Sequence, residues 1–159
     1  MTDNKLQKSV VLLKPDALQR GLVGKIISRF ETKGLKLMAI KMMKLSDEVL
    51  DQWYQHHQDK PFFTDLKKFM TSGPIVVMLW EGLEGIAAVR KLCGVTTGYQ
   101  AEAGSIRGDF SMSGQHNVIH ASDSAETAKK EAELIFNQDE IFDYDKGDYL
   151  WIYSVEERK

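Results

Sequence analysis

Residues 104–124 read GSIRGDFSMSGQHNVIHASDS, which brings together an arginine (Arg107), an amide (Asn117), a histidine (His120) and a hydroxyl-rich acidic run (Ser122, Asp123, Ser124). Asn117-Val118-Ile119-His120 is expected to be a short strand, because Val and Ile favour a pleated, half-buried surface. Strand side chains alternate, which predicts Val118 and His120 on one face and Asn117 and Ile119 on the other. Residues 121–124 are expected to open a helix, since Ser and Asp side chains accept hydrogen bonds from free backbone N–H groups. A histidine where a strand meets a helix N-terminus sits where anions are favoured. The competing reading is a hydrogen-bonded core histidine, the commoner fate of a lone buried imidazole.

Further cations fall at positions that could serve such a site. Lys14 ends an apolar run, Arg90 ends a helical pattern, and Arg107 lies in a long loop. A lysine at the end of a central strand faces a cleft or snorkels at the surface, and both readings stay open for Lys14. Arg90 and Lys91 are also explained by the helix dipole alone. Two arginines, a lysine and a helix N-terminus around one imidazole would make an anion site of phosphate type. A neutral imidazole is a competent nucleophile toward phosphorus, and a carboxylate on its far nitrogen would fix the tautomer. Glu131 is a candidate for that carboxylate.

Other chemistries find less support. The chain has no G-x-x-x-x-G-K-[ST], no G-x-G-x-x-G and no G-x-S-x-G, so P-loop, dinucleotide-fold and serine-elbow readings fall away. Four histidines and one cysteine are scattered, and the adjacent His56 and His57 would point in different directions on a helix. Solvated polar residues are the expected account of that pair. The run Asp143-x-Asp145-x-Gly147-Asp148 lacks the order and the bidentate Glu of a calcium loop.

The elements that must position these groups follow from the apolar periods. Residues 9–13 form a continuous apolar run, expected as a central buried strand, and residues 21–33 carry a helical pattern capped by Gly34. A half-solvated strand is expected over 35–45 and a helix from Ser46 through Tyr54, ending near His56-His57. Lys60-Pro61-Phe62-Phe63 opens a second helix running to Met70, in which one phenylalanine packs inward and the other stays partly exposed as a stacking platform. Residues 75–80 form the next apolar strand, 84–93 a helix, 94–115 a long loop and 124–136 the last long helix. The tail lacks a helical period, yet Leu150-Trp151-Ile152-Tyr153 is too apolar to stay in water and should pack on this domain or on a neighbouring subunit. The order is βαββαβ with insertions: an α+β sandwich, with helices packed on one four-stranded antiparallel sheet. The first and last strands of such a sheet are commonly adjacent, which would bring Lys14 to the Asn117–His120 segment.

With 159 residues the chain is expected to be one domain, 1–159, with a polar N-terminus at 1–7 and a C-terminal extension at 137–159. A formal charge of −2 argues against a surface that coats nucleic acid, and no specific nucleic acid is expected as partner. The single cysteine, Cys93, suits a reducing compartment, and no apolar run is long enough to span a bilayer. The expectation is a cytoplasmic protein with no membrane partner.

Several segments carry a closer resemblance: KPDALQRGLVGKIISRFETKGLKL, KPFF, SGPIVVMLWEG, VRKLCGVT, GSIRGDF, NVIHASDS and WIYS. Over residues 8–153 the chain resembles nucleoside diphosphate kinases. That resemblance implies a ferredoxin-like fold and a Mg²⁺-dependent, ping-pong transfer of the γ-phosphoryl group from a nucleoside triphosphate to a nucleoside diphosphate. It implies His120 as the phosphorylated nucleophile, Glu131 as its orienting carboxylate and Tyr54 close by. It also implies Lys14, Arg90, Thr96, Arg107 and Asn117 on the phosphates and ribose, Phe62 stacked on the base, and Asp123 reaching Mg²⁺ through water. A homo-oligomer follows too, a hexamer in preference to a tetramer, with the apolar tail as a subunit contact. Two alternatives share the fold: a nucleotide-binding module without exchange, and a phosphohistidine carrier serving another protein.

The chain departs from the family pattern at four places. Thr97-Gly98 stands where Asn-Pro is customary, Ala103 stands for a second customary proline, Gly114-Gln115-His116 replaces a hydrophobic-Gly-Arg run, and Ala121 takes the place of the Gly that usually follows the histidine. Each Gly in place of Pro adds unfolded-state entropy worth up to about 1 kcal/mol, which predicts a looser loop.

Overall fold

The computed structural model describes residues 6–158, so residues 1–5 of the polar N-terminus lie outside the described residues. Its frame is a four-stranded antiparallel sheet in the order β2-β3-β1-β4. These strands are β1 (Leu6–Leu13), β2 (Lys36–Met43), β3 (Ile75–Leu83) and β4 (Ile119–Ala121). β1 pairs with β3 on one side and β4 on the other, Leu12 lying opposite both Val77 and His120. A strand paired on both edges and covered on both faces must be apolar on alternate and intervening positions alike. The run Val10-Val11-Leu12-Leu13 meets that demand and is fully buried.

Helices cover the sheet on both faces. Val11, Leu13, Met78 and Trp80 pack against α2 (Val23–Lys33) and α5 (Gly85–Cys93) through Ile26, Phe30 and Val89. Val10, Leu12, Val77 and Leu79 pack against α3 (Asp47–Trp53), α4 (Phe63–Met70) and α7 (Ala125–Ile135), through Leu50, Trp53, Met70 and Ile135. The expected strand order, with the first and last strands adjacent, is present, and the fold is ferredoxin-like. The inserted pair α3 and α4, together with α7, closes the second face.

Three local outcomes differ from expectation. A short helix, α1 (Pro15–Gln19), follows β1 directly, with Pro15 at its first turn where a missing N–H costs nothing. The 94–115 loop is shaped by a 3₁₀ turn (Gly98–Gln100) and by α6 (Ile106–Phe110), whose cap is the Ser105 hydroxyl accepting from Gly108 N–H. In the tail, α8 (Tyr149–Ile152) forms one turn. Tyr153 Oη accepts from Leu83 N–H at 3.2 Å, and Phe142 N–H donates at 2.8 Å to Met38 O, at the irregularity between Leu37 and Ala39 in β2. Ile152 and Tyr153 thus pack on this domain, whereas Leu150 and Trp151 stand 69% and 90% exposed. Among the described residues no helix is long and apolar enough to cross a membrane.

Candidate active site

The strand expected over Asn117–His120 is shifted: β4 is Ile119–Ala121, and Asn117 and Val118 form a turn before it. The alternation of faces therefore fails at Val118, which takes a left-handed φ of 63°. Asn117 and His120, predicted to point apart, line the same cavity. That cavity, about 330 Å³, is also lined by Lys14, Tyr54, Phe62, Arg90, Thr96, Arg107, Asp123 and Glu131, so every candidate residue is brought to one place.

At its centre, His120 Nε2 lies 2.9 Å from Glu131 Oε1. A carboxylate can only accept, so Nε2 carries the proton and Nδ1 keeps its lone pair. Glu131 is buried, and its second oxygen accepts from Ser122 Oγ at 2.5 Å. Ser122 Oγ in turn accepts from Val10 N–H at 3.0 Å, which ties the carboxylate to β1. Ser122 does not open the helix. Ser124 does, accepting from Thr127 N–H, and this leaves Ser122 free to face inward. Trp53 and Tyr54 set the imidazole plane by edge contacts, with ring centroids 5.4 and 6.4 Å away. Ser122 and Trp53 were not legible as site residues. Their only sequence signal is nearness to His120 and Tyr54.

The cationic wall rests on buried groups. Lys14 Nζ donates to Asn117 Oδ1 at 2.7 Å, and Asn117 Nδ2 donates to Thr96 O and Gly114 O at 2.8 and 3.0 Å. Burial above all, and Arg107 next, lower the Lys14 pKa to about 8, while Asp16 opposes the shift. Arg107 spends two N–H groups on Gly94 O and Ile119 O, at 2.8 and 2.6 Å. Its Nε is buried and has no partner among the described residues. Arg90, exposed in the last turn of α5, completes the cationic side.

Other groups are excluded from ionic roles. Burial raises the Tyr54 pKa, with Glu131 adding to it, so the phenol stays protonated. Cys93 also lines the cavity, but burial pushes its thiol up to about 12 and leaves it protonated. Asp123 is held below the usual carboxylate range, chiefly by the Thr127 hydroxyl, and offers one ionised oxygen donor.

At the mouth, Phe63 is buried and Phe62 is 40% exposed, as the paired phenylalanines predict. His56 and His57 are not merely solvated residues: both line the cavity, and His57 lies 5.8 Å from the Phe62 ring. The Thr97-Gly98 departure has a local reason. Gly98 N–H donates to Ser113 O at 2.9 Å, a bond that proline could not make, and a Cβ at 98 would stand 2.4 Å from Ser111 Oγ. The loop is internally tied at that point.

Comparison with known proteins bears on the fold and the family. The family profile described as nucleoside diphosphate kinase matches residues 7–141. A nucleoside diphosphate kinase of Parabacteroides distasonis is 49% identical over 152 residues, covering 96% of this chain and 99% of its own. One from Staphylothermus marinus is 51% identical over 138 residues, covering 87% and 98%. Among solved structures, a halophilic nucleoside diphosphate kinase from Halobacterium salinarum, in complex with CDP, is 41% identical with a TM-score of 0.92, covering 94% of this chain and all of that one.

Proposed function

This chain belongs to the nucleoside diphosphate kinase family, and from that premise we propose how its own residues carry phosphoryl transfer between nucleotides. The observation that carries the reading is the His120–Glu131 contact at 2.9 Å, which leaves Nδ1 as the free nucleophile in a cavity walled by Lys14 and Arg107. In the first half-reaction the Nδ1 lone pair attacks the γ-phosphorus of a nucleoside triphosphate. The bond from phosphorus to the bridging oxygen breaks, and its electron pair leaves with the diphosphate. The positive charge on the phosphorylated ring is balanced by Glu131 through the Nε2 proton. In the second half a terminal oxygen of another nucleoside diphosphate attacks, the N–P bond breaks, and its pair returns to Nδ1.

Phosphoryl transfer asks mainly for alignment and neutralised charge. Lys14, held by Asn117, and Arg107 meet the equatorial oxygens, while Arg90 and Thr96 hold the remaining phosphates. Phe62 stacks on the base by its π-face, which tolerates any base. Asp123 is a hard, ionised donor, and among the described residues no cluster of three acidic, histidine or cysteine ligands exists. That suits Mg²⁺, which keeps its waters and is bound through one or two carboxylates and substrate phosphates. Asp123 would hold such an ion, through water, and the ion would supply charge neutralisation along the phosphate chain.

We place the protein in the cytoplasm as one domain, assembled as a homo-oligomer, a hexamer rather than a tetramer. Exposed Leu150 and Trp151 support the assembly, and light scattering that returns a monomer mass at micromolar concentration would remove it. The function is tested with γ-labelled ATP and a different nucleoside diphosphate. The expected result is an acid-labile phosphoenzyme and labelled product, neither of which forms with His120→Ala. Label retained on that variant would overturn His120 as nucleophile.

A further inference from the structure

One contact beside the cavity has no part in the transfer chemistry described above. Val118 is β-branched and fully buried, and its φ of 63° lies in the region that favours glycine. Ile119 N–H donates to Asn117 O at 2.8 Å, closing a three-residue turn centred on Val118, the rarer and strained γ form. Both backbone polar groups of Val118 are taken by the segment that follows β1. Lys14 N–H donates to Val118 O at 2.9 Å, and Asp16 Oδ2 accepts from Val118 N–H at 3.1 Å. Without this turn, strand alternation would send Asn117 and His120 to opposite faces.

Building on the transfer reading above, we propose that Asp16 is a positioning residue, whose carboxylate holds the strained Val118 turn and thereby sets where Asn117 and His120 meet the phosphoryl group. It does so without touching substrate, since Asp16 lies outside the reaction cavity and lines a separate surface depression with Arg20 and His116. Strained backbone persists only where its surroundings over-determine it, and a carboxylate is the stronger acceptor for that task. Its second oxygen, Oδ1, is buried and has no hydrogen-bond partner among the described residues, so Oδ2 makes the positioning contact. Asp16 has a second effect through charge. It is the negative group that opposes the lowering of the Lys14 pKa by burial and by Arg107.

The test compares the parent with Asp16→Ala and Asp16→Asn in single-turnover labelling by γ-labelled ATP, steady-state kinetics against pH, and amide hydrogen exchange at Val118. Asp16→Ala is expected to slow phosphoenzyme formation at saturating ATP by on the order of tenfold or more, with KM little changed and the Val118 amide less protected. Asp16→Asn keeps an oxygen acceptor, so it should restore most of the rate and the protection. Having lost the charge that faces Lys14, it should also show kcat/KM falling at lower pH than the parent. An Ala variant with parental rate and parental Val118 protection overturns the proposal. So does an Asn variant as slow as Ala, or one whose Val118 amide is unprotected, and this second arm stands if the Ala variant does not fold. A parent that forms no phosphoenzyme overturns the transfer reading, while amide protection still decides the role of Asp16.

Discussion

Glu131 reaches His120 with one carboxylate oxygen at 2.9 Å and Ser122 with the other at 2.5 Å, so both lone-pair faces of this buried group are committed. Replacing it by glutamine keeps one acceptor. The other end becomes an NH₂ that faces the Ser122 hydroxyl, and the charge proposed to balance a phosphorylated imidazole is gone. Glu131→Gln is expected to slow phosphoenzyme formation roughly ten- to a hundredfold, the value of a hydrogen bond to a charged group. Rapid-quench single turnovers should show this at saturating ATP, with a smaller effect on KM.

Lys14 gives a prediction in which stability and activity move in opposite directions. Its folded pKa of about 8 lies below the ordinary 10.5. Between those values the unfolded chain holds the proton and the native chain does not, so stability rises with pH there. Below pH 8 the charged lysine is carried at full cost. Lys14→Met should therefore be more stable than the parent at pH 7, by on the order of 1–3 kcal/mol, with the gain gone by about pH 10.5. The same variant should lose nearly all transfer, and the parent's kcat/KM should fall as pH passes about 8. Urea unfolding and pH-rate profiles check the two arms.

Phe62, half out of the fold, has little to do for stability. Phe62→Ala should raise KM by roughly tenfold, the worth of one base–aromatic stack, for purine and pyrimidine nucleotides alike, with kcat changed much less. Steady-state kinetics with two triphosphates of different base suffice. A kcat loss equal to the KM change would place the ring in the transition state instead.

Gly98→Ala addresses the loop. The added Cβ would stand 2.5 Å from Ser111 O and 2.6 Å from its carbonyl carbon, which are backbone atoms that cannot swing aside. The cost should be about 1–3 kcal/mol in urea unfolding, as for other overpacked sites. Because Ser111 Oγ also donates toward His116 O, the loss should extend to Asn117 and raise the KM for nucleotide.

Much of this was legible in the sequence. Apolar periods place the strands, and the adjacency of the first and last ones puts Lys14 beside Asn117. Glu131 was legible as a partner for His120 because it lies one helix beyond it, and the two are in contact. Val118 was not, since a β-branched residue argues for an extended backbone, and only tertiary clamps from Lys14 and Asp16 hold it at positive φ. Ser122 was misread as part of a helix start because its composition matches Ser124, and only the strand register turns it toward Glu131. The loop was expected to be loose because it lacks proline. Its order comes from Gly98, Ser111 and Arg107 hydrogen bonds that no local propensity encodes.

The chain of contacts from His120 through Glu131 and Ser122 ends on Val10, in the strand that both neighbouring strands grip. The His120 imidazole therefore belongs to the same cooperative unit as the middle of the sheet. Fraying of the tail, none of whose residues lines the cavity, can proceed without disturbing the imidazole. Thermal inactivation of the labelling reaction should then trace the loss of the sheet itself, with no earlier step.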